Sequence, residues 1–311
     1  MQAVYLTPRS TFPEALPSNT LFGAICTAMA DLGEDVGAFI ETFESNHPLL
    51  ISSCFPYTGS SAKPVRLYPM PSLPPSGSSD IEFDMLKTLK KIKYVDEAIF
   101  NRLSSGSLKM DILLRTFDRF SFNRKKGILC SEKGTTKLKQ EEVDIPHNRI
   151  NRLSSASDEF YHTSGSHYGD GGLYFLIDYK DTSWEKSVTG AIRLLADQGI
   201  GKRRSSGQGH FDLAFGTAEL EPNQSAPYLT TLSRFLPESM DPFGQEIWYD
   251  LISVRGRSSD GMMTSQVLML GEGSVFKNIG KTRYGKIATV REKPRKVEFG
   301  LAFPVGMRCI Q

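Results

Sequence analysis

Gly199, Gly201, Gly207 and Gly209 fall in one short stretch, GIGKRRSSGQGHF, together with Lys202, Arg203, Arg204, Ser205 and Ser206. Glycine tolerates positive φ and lets the backbone approach a ligand closely. Three adjacent cations and two hydroxyls supply donors for phosphate oxygens. The stretch is not a nucleotide-hydrolase loop: no GK[ST] closes it, and the flanking patterns run from helix into strand, the reverse of a P-loop. Nor is it GxGxxG, since Arg204 stands where the third glycine belongs. The plain alternative is a helix C-cap at Gly199 followed by a solvated basic turn. Such a turn would not need all four glycines.

Two further stretches are rich in donors. IPHNRINRLSSAS, Ile145 to Ser157, places His147, Asn148, Arg149, Asn151 and Arg152 together. Histidine and arginine can stack on bases, while arginine and asparagine reach phosphates and base edges; a polar loop without a partner is the alternative. Lys277 to Lys296 carries eight Lys or Arg against one acid, Glu292. It reads as a backbone-tracking surface or as a charged, solvated hairpin. Phe120, Phe122 and the basic turn Arg124–Lys126 suggest a smaller hairpin reaching out of the body.

Catalytic chemistry finds less support. The histidines are His47, His147, His162, His167 and His210. His162 and His167 lie close in sequence, yet no acidic or cysteine partner completes a metal site at ligand spacing. GxSxG, HExxH and DxD motifs are absent, so neither a metal nor a cofactor is expected. An RNA-cleaving site could still be assembled from His147 or His162 with Tyr161 and a lysine.

The elements that must hold these stretches follow from periodicity. Ala3–Thr7 reads as a strand ended by Pro8. Ser18 or Asn19 would cap a helix with Leu21, Ile25, Ala28 and Leu32 on one face and Gly33 at its end. Val36, Phe39, Ile40 and Phe43 mark a second helix, and Leu49–Phe55 a buried strand stopped by Pro56. Helical patterning returns over Phe83–Ile92 and Val95–Leu103. Leu173–Tyr179 is a strand, Ser183 would cap a helix with Val188, Ile192 and Leu195, and Phe211, Leu213 and Phe215 alternate as the next strand. Strand, helix, strand, a long insertion, then strand, helix, strand is the order of a βαββαβ ferredoxin-like unit. Beyond Glu221 the runs Tyr228–Phe235, Ile247–Val254, Lys286–Val290 and Val297–Phe303 read as strands of a second domain.

Composition sets the outer bounds. At 311 residues, with 39% hydrophobic and 23% charged content, the chain reads as an ordinary globular protein long enough for two domains. A net charge of +2 is too small to signal nucleic acid, so charge placement matters more than the sum. Cys26, Cys54, Cys130 and Cys309 are widely spaced, with no CxxC pair, which argues against a zinc ribbon or a disulfide framework. No apolar stretch could span a membrane, and MQAVYLTPRS lacks the form of a secretion signal. The expected location is cytoplasmic.

A series of motifs adds to this reading. A strand ending in LTP is followed in order by SNTLFGAICTAM, ISSCFPY, IPHNRINR, GGLYFLI and GIGKRRSSGQGHF, with GEGSVF and VEFGLAFPVGM nearer the end. The series resembles the RAMP-superfamily subunits that bind the 5′ tag of the guide RNA (crRNA) in type III-A CRISPR Csm complexes. The resemblance implies an α+β chain of two ferredoxin-like (RRM-like) domains. Residues 1–220 would form the first, with an insertion over about 68–170 bearing a β-hairpin thumb; residues 221–311 would form a strand-rich, degenerate second. It implies a non-catalytic role in antiviral defence, with no cofactor. The crRNA 5′ tag, the large palm-domain subunit and the backbone RAMP subunit would be direct partners, and target RNA an indirect one. The RNA-binding residues it implies are Ser18, Asn19 and Thr20; His147, Asn148, Arg149 and Arg152; and Gly199, Gly201, Lys202, Arg203, Arg204, Ser205, Ser206, Gly207 and Gly209. A metal-independent endoribonuclease that processes precursor crRNA is the rival reading. A structural subunit whose basic patches face acidic proteins is the third.

Overall fold

Ala3 to Leu6 are buried on both faces, as a strand with neighbours on either side and cover above and below requires. In the computed structural model, which describes all residues except 13–15, 74–82, 132–137, 202–203, 205–206, 221–224, 257–261, 294 and 309–311, this run is β1 (Gln2–Pro8). It leads to α1 (Ser18–Asp31), α2 (Val36–Ser45), β2 (Leu49–Ile51), β3 (Phe55–Thr58) and β4 (Val65–Pro69). The middle of the chain forms α3 (Phe83–Leu89), β5 (Tyr94–Asp96), α4 (Glu97–Ser104), α5 (Met110–Arg115), β6 (Ser121–Asn123) and β7 (Ile128–Cys130), then the long strands β8 (Gln140–Ile150) and β9 (Ser157–Tyr168). Next come β10 (Gly171–Tyr179), α6 (Glu185–Gln198) and β11 (Phe211–Thr217). The remainder is β12 (Tyr228–Thr231), β13 (Ile247–Trp248), β14 (Leu251–Val254), β15 (Val267–Leu270), β16 (Val275–Lys277), β17 (Gly285–Arg291), β18 (Lys296–Leu301) and β19 (Pro304–Met307).

The fold is mixed α+β. Its main sheet runs β11-β1-β10-β3-β4-β5-β7-β6, with β2 also paired to β10. Each pairing is antiparallel except β5 with β7. Helices α1 and α6 lie against each other, burying Leu21, Phe22, Ile25, Ala28 and Met29 from one and Val188, Ala191, Ile192, Leu195 and Ala196 from the other. The C-terminal part forms a sheet ordered β13-β16-β12-β19 and the ribbons β14–β15 and β17–β18. A separate ribbon, β8–β9, stands apart from all of these. One hydrophobic cluster joins the N-terminal sheet and helices to Leu232, Phe299, Leu301, Phe303 and Val305, so the two ends of the chain share a core. Among the described residues no helix is long and apolar enough to cross a membrane.

Several local expectations change. The residue before α1 is Pro17, and neither Ser18 nor Asn19 caps the helix: both lie in its first turn, facing inward. The expected strand Leu49–Phe55 is split into β2 and β3, and Pro56 sits within β3 opposite Leu173 instead of ending it. Val95 belongs to β5, and the following helix is capped by Asp96, whose Oδ1 accepts from Ile99 N at 2.9 Å. The turn leading into α6 is capped by Asp181, which accepts from the Ser183 amide. The basic turn at Arg124 to Gly127 does close a hairpin, β6–β7, but Ile128, Leu129 and Cys130 are buried in the main sheet, so it does not reach outward. Ile247–Val254 is two strands with different partners. The composition of Tyr68–Asp80 suggests a loop, but Tyr68 and Pro69 close β4; residues 74–80 and Cys309 lie outside the described residues.

Glu298 on β18 is half-buried beneath α1, where Asn19 Nδ2 donates to its carboxylate. Burial raises its pKa, opposed by that hydrogen bond and by the charge of Arg234. Between the unfolded value, about 4.3, and the raised folded one, the native state holds the extra proton. Stability from this group therefore falls as pH rises through that window. Glu298→Gln, which keeps an acceptor for Asn19, should raise the melting temperature at pH 7, and the gain should vanish near pH 4. An equal gain at both pH values in thermal unfolding would refute this account.

Candidate nucleic-acid interface

Helix α6 ends where the sequence predicts. Gly199 takes φ +81° and its amide donates to Leu195 O at 2.8 Å. Ile200, only 3% exposed, then anchors the loop in the core. Its amide donates to Gly209 O at 3.0 Å, and the Gly209 amide donates to Thr11 O at 3.0 Å. A Cβ at Gly209 would sit 2.0 Å from Ile200 O, with φ at +79°, so glycine is required at this pinch. Between the pinned ends Gly201, Arg204 and Gly207 are exposed, and the Gly207 amide turns back to Arg204 O at 3.1 Å. Lys202, Arg203, Ser205 and Ser206 lie outside the described residues.

The His-Asn-Arg stretch is not a loop. Ile145 to Ile150 belong to β8, in a ladder with β9 that opposes His147 to Tyr161, Asn148 to Phe160 and Arg149 to Glu159 and shifts register between Arg149 and Ile150. The His147 and Tyr161 rings stack 5.1 Å apart at 14°. Arg149 pairs with Glu159 at 4.0 Å, both side chains well exposed, and such a pair contributes little to stability. Arg152 is exposed beyond the strand end, and Asn148 Oδ1 accepts from Ser157 Oγ at 2.6 Å. The ribbon also presents apolar and aromatic surface that the sequence reading did not single out. Phe160 is 65% exposed and Leu153 99%. The adjacent aromatics Phe160 and Tyr161 were the signal available.

The two stretches meet. Thr163 Oγ1, buried on β9, accepts from Gln208 Nε2 in the glycine-rich loop at 3.2 Å and lies 2.9 Å from His147 Nε2. At the base of the ribbon Phe12 and Ser166 exchange backbone hydrogen bonds of 2.9 and 2.8 Å, and Gly165 passes so close to Thr11 that a Cβ would lie 2.9 Å from it. Beneath the ribbon a groove is lined by Lys93, Tyr94, Lys125, Lys126, Gln140 and Tyr168, among others. Lys126 Nζ donates to Leu138 O, and burial lowers its pKa.

Other candidates fall elsewhere. Ser18 is fully buried: its amide donates to Ser53 Oγ at 2.9 Å and its Oγ accepts from the Arg234 amide at 3.0 Å. Asn19 is engaged with Glu298 and Arg234, so of the SNT triplet only Thr20 is exposed. In the Lys277–Lys296 stretch, Lys277 pairs with Glu246, Lys281 and Arg283 with Glu238, and Arg295 with Glu44. Half its charge is thus balanced locally. His162 Nδ1 lies 3.8 Å from Asp144, and no cluster of three metal-ligating side chains occurs among the described residues. The hydrogen bonds and ion pairs of the described residues do not join a lysine to His147 or His162.

No family model matches the chain. A curated relative does: the CRISPR system Cms protein Csm4 of Thermococcus onnurineus (strain NA1) is 26% identical over 98% of this chain and 96% of its own length. The chain is a homologue of Csm4. Its fold agrees with that of a chain in the crystal structure of the Csm3-Csm4 subcomplex of the type III-A CRISPR-Cas interference complex, with a TM-score of 0.70, 19% identity, and 99% and 100% of the two chains covered. A chain of the Csm1-Csm4 cassette in complex with AMPPNP matches with a TM-score of 0.63 and 22% identity over 98% and 97%. A more distant match, in the type III-B Cmr-beta complex bound to cognate target RNA and AMPPnP, has a TM-score of 0.52 at 12% identity over 88% and 86%. The sequence likeness to Csm4 thus spans the chain, as the motif series does, and the structural matches show a shared fold.

Proposed function

We propose that the chain is the cytoplasmic, non-catalytic Csm4-type subunit of a type III-A effector complex and binds the 5′ tag of its crRNA. The observation that carries this reading is the link from Gln208 through Thr163 to His147, which joins the glycine-rich loop and the His-Asn-Arg strand into one surface. The loop backbone and its cations would hold phosphates; Tyr161, His147 and Phe160 offer faces for unstacked bases. The order β11-β1-β10-β2/β3, with α1 and α6 packed together, supports a ferredoxin-like first domain over 1–220. In that reading the β8–β9 ribbon is the thumb, which would interrupt the guide–target duplex, and 221–311 is the degenerate second domain. The matched assemblies contain Csm3 and Csm1, which supports docking to a backbone RAMP subunit and to the large subunit.

Changing Lys202, Arg203 and Arg204 together to alanine tests the loop. Each lost phosphate contact should reduce the log–log salt slope of single-stranded RNA binding by roughly 0.7, so the slope should fall by about 2. Fluorescence anisotropy across a salt series with tag RNA reads this directly. An unchanged slope and affinity would remove the loop from the interface.

A further inference from the structure

A second cavity, of about 190 Å³, opens beside the groove, and Cys54, Lys93 and Tyr94 form part of the wall of both. Its polar groups come from segments far apart in the chain. Ser53 stands in the break between β2 and β3; its Oγ accepts from the Ser18 amide and donates to Glu272 Oε1 at 2.6 Å. Glu272 sits in the β15–β16 turn. Gly273, at φ +85°, is packed so closely there that a Cβ would lie 2.5 Å from Met70 O, which fixes the turn. Arg234 follows β12 and is tethered by its own amide to Ser18 Oγ.

The ion pair formed here is open. Arg234 Nε lies 3.7 Å from Glu272 Oε1, beyond hydrogen-bonding distance, and Nε is buried without a hydrogen-bond partner. Both side chains retain about 20% exposure. A pair serving only to join the halves would gain from closing to about 2.7–2.9 Å, and leaving a buried donor unmet is costly. Arg234 Nη1 donates to Asn19 Oδ1 at 3.5 Å, and the Arg234 and Glu272 side chains line the cavity together, with Tyr94 as an aromatic wall. Burial pushes the Tyr94 hydroxyl up to about 12, so the ring stays neutral.

We infer that this cavity receives one unpaired nucleobase and selects guanine. The edge of guanine offers the O6 acceptor beside two donors, N1–H and N2–H. A carboxylate accepts from both donors while a guanidinium donates to O6. Uracil offers two acceptors around a single donor, and adenine lacks the second donor. Lys93, on the shared wall, would meet the phosphate where the strand passes into the groove. This inference rests on the RNA-binding reading above.

Binding of short oligouridylates carrying one guanosine, inosine or adenosine, placed at the 5′ end, centre or 3′ end, tests it with the intact chain. Guanosine in one position should bind about tenfold or more tighter than inosine, which lacks the N2 amine, as expected for a hydrogen bond to a charged group. Glu272→Gln should erase that difference while binding plain oligouridylate like the parent. The inosine comparison needs no mutation, so a folding defect cannot imitate it. Equal binding of all three bases, or a preference for adenosine, overturns the guanine pocket but leaves RNA binding standing. Failure of every oligonucleotide to bind at low salt overturns both.

Discussion

Replacing Phe22 by alanine should destabilise the protein by about 3–5 kcal/mol, the usual cost of emptying a buried phenylalanine site. Phe22 is 2% exposed and stacks on Phe299 with ring centres 4.6 Å apart and planes at 22°. Phe43 meets its edge at 5.5 Å and Phe39 lies at 5.9 Å. Phe22 belongs to α1 and Phe299 to β18, so this aromatic group is where the two ends of the chain hold each other. Domains are typically stable by only about 5–15 kcal/mol, so the loss should be large in denaturant titrations. It should also move a single transition. Two separated transitions, only one of them shifted, would mean that the N- and C-terminal parts unfold independently and that the shared core is unimportant.

The second large effect is expected at Gly209. A valine there must adopt φ near +79° and place Cβ against the Ile200 carbonyl. Backbone strain of that kind costs about 1–3 kcal/mol before the collision is counted. Relief requires breaking the Ile200–Gly209 hydrogen bond, which would move Gln208 away from Thr163. Gly209→Val should therefore weaken tag RNA binding by more than its loss of melting temperature suggests. Gly207→Ala is the control. Its φ is +83° but nothing lies within 4 Å, so it should cost only about 1–2 kcal/mol and leave the pinch closed. Equal RNA binding by parent and Gly209→Val would show that the shape of the loop is irrelevant.

The strands and helices around the loop were legible because each buries either one periodic face or a continuous apolar run. Val188, Ile192 and Leu195 lie on one side of α6, and β1 is an unbroken apolar run. The β8–β9 ribbon was not legible as strands. Its outer part has no core face, and at the inner end of β9 the buried Thr163, Gly165 and Ser166 are small or polar, so no period-two apolar signal results; Pro146 adds a local argument against a strand. The break at Ser52 to Cys54 is hidden for the opposite reason, since these residues are as buried as the strands they separate. Ser18 and Asn19 were read as caps because their types suit helix starts. Their partners, Ser53, Arg234 and Glu298, are too distant in sequence to be anticipated. The Lys277–Lys296 stretch looked uncompensated for the same reason: Glu44, Glu238 and Glu246 lie outside it.

The contact of Gly209 with Thr11, and of Ser166 with Phe12, has a consequence for the order of synthesis. Chains emerge from the ribosome N-terminus first, at about 5–20 residues per second. The Arg9–Phe12 segment and β1 are made early, yet the ladder partners of β1 are β10 and β11, and the loop that closes over Thr11 precedes β11 directly. A nascent chain therefore cannot close the glycine-rich loop over Thr11 until nearly all of the first 211 residues are available. Such long-range closure is slow, and in the reading proposed above RNA capture would be confined to chains whose first two thirds are already complete.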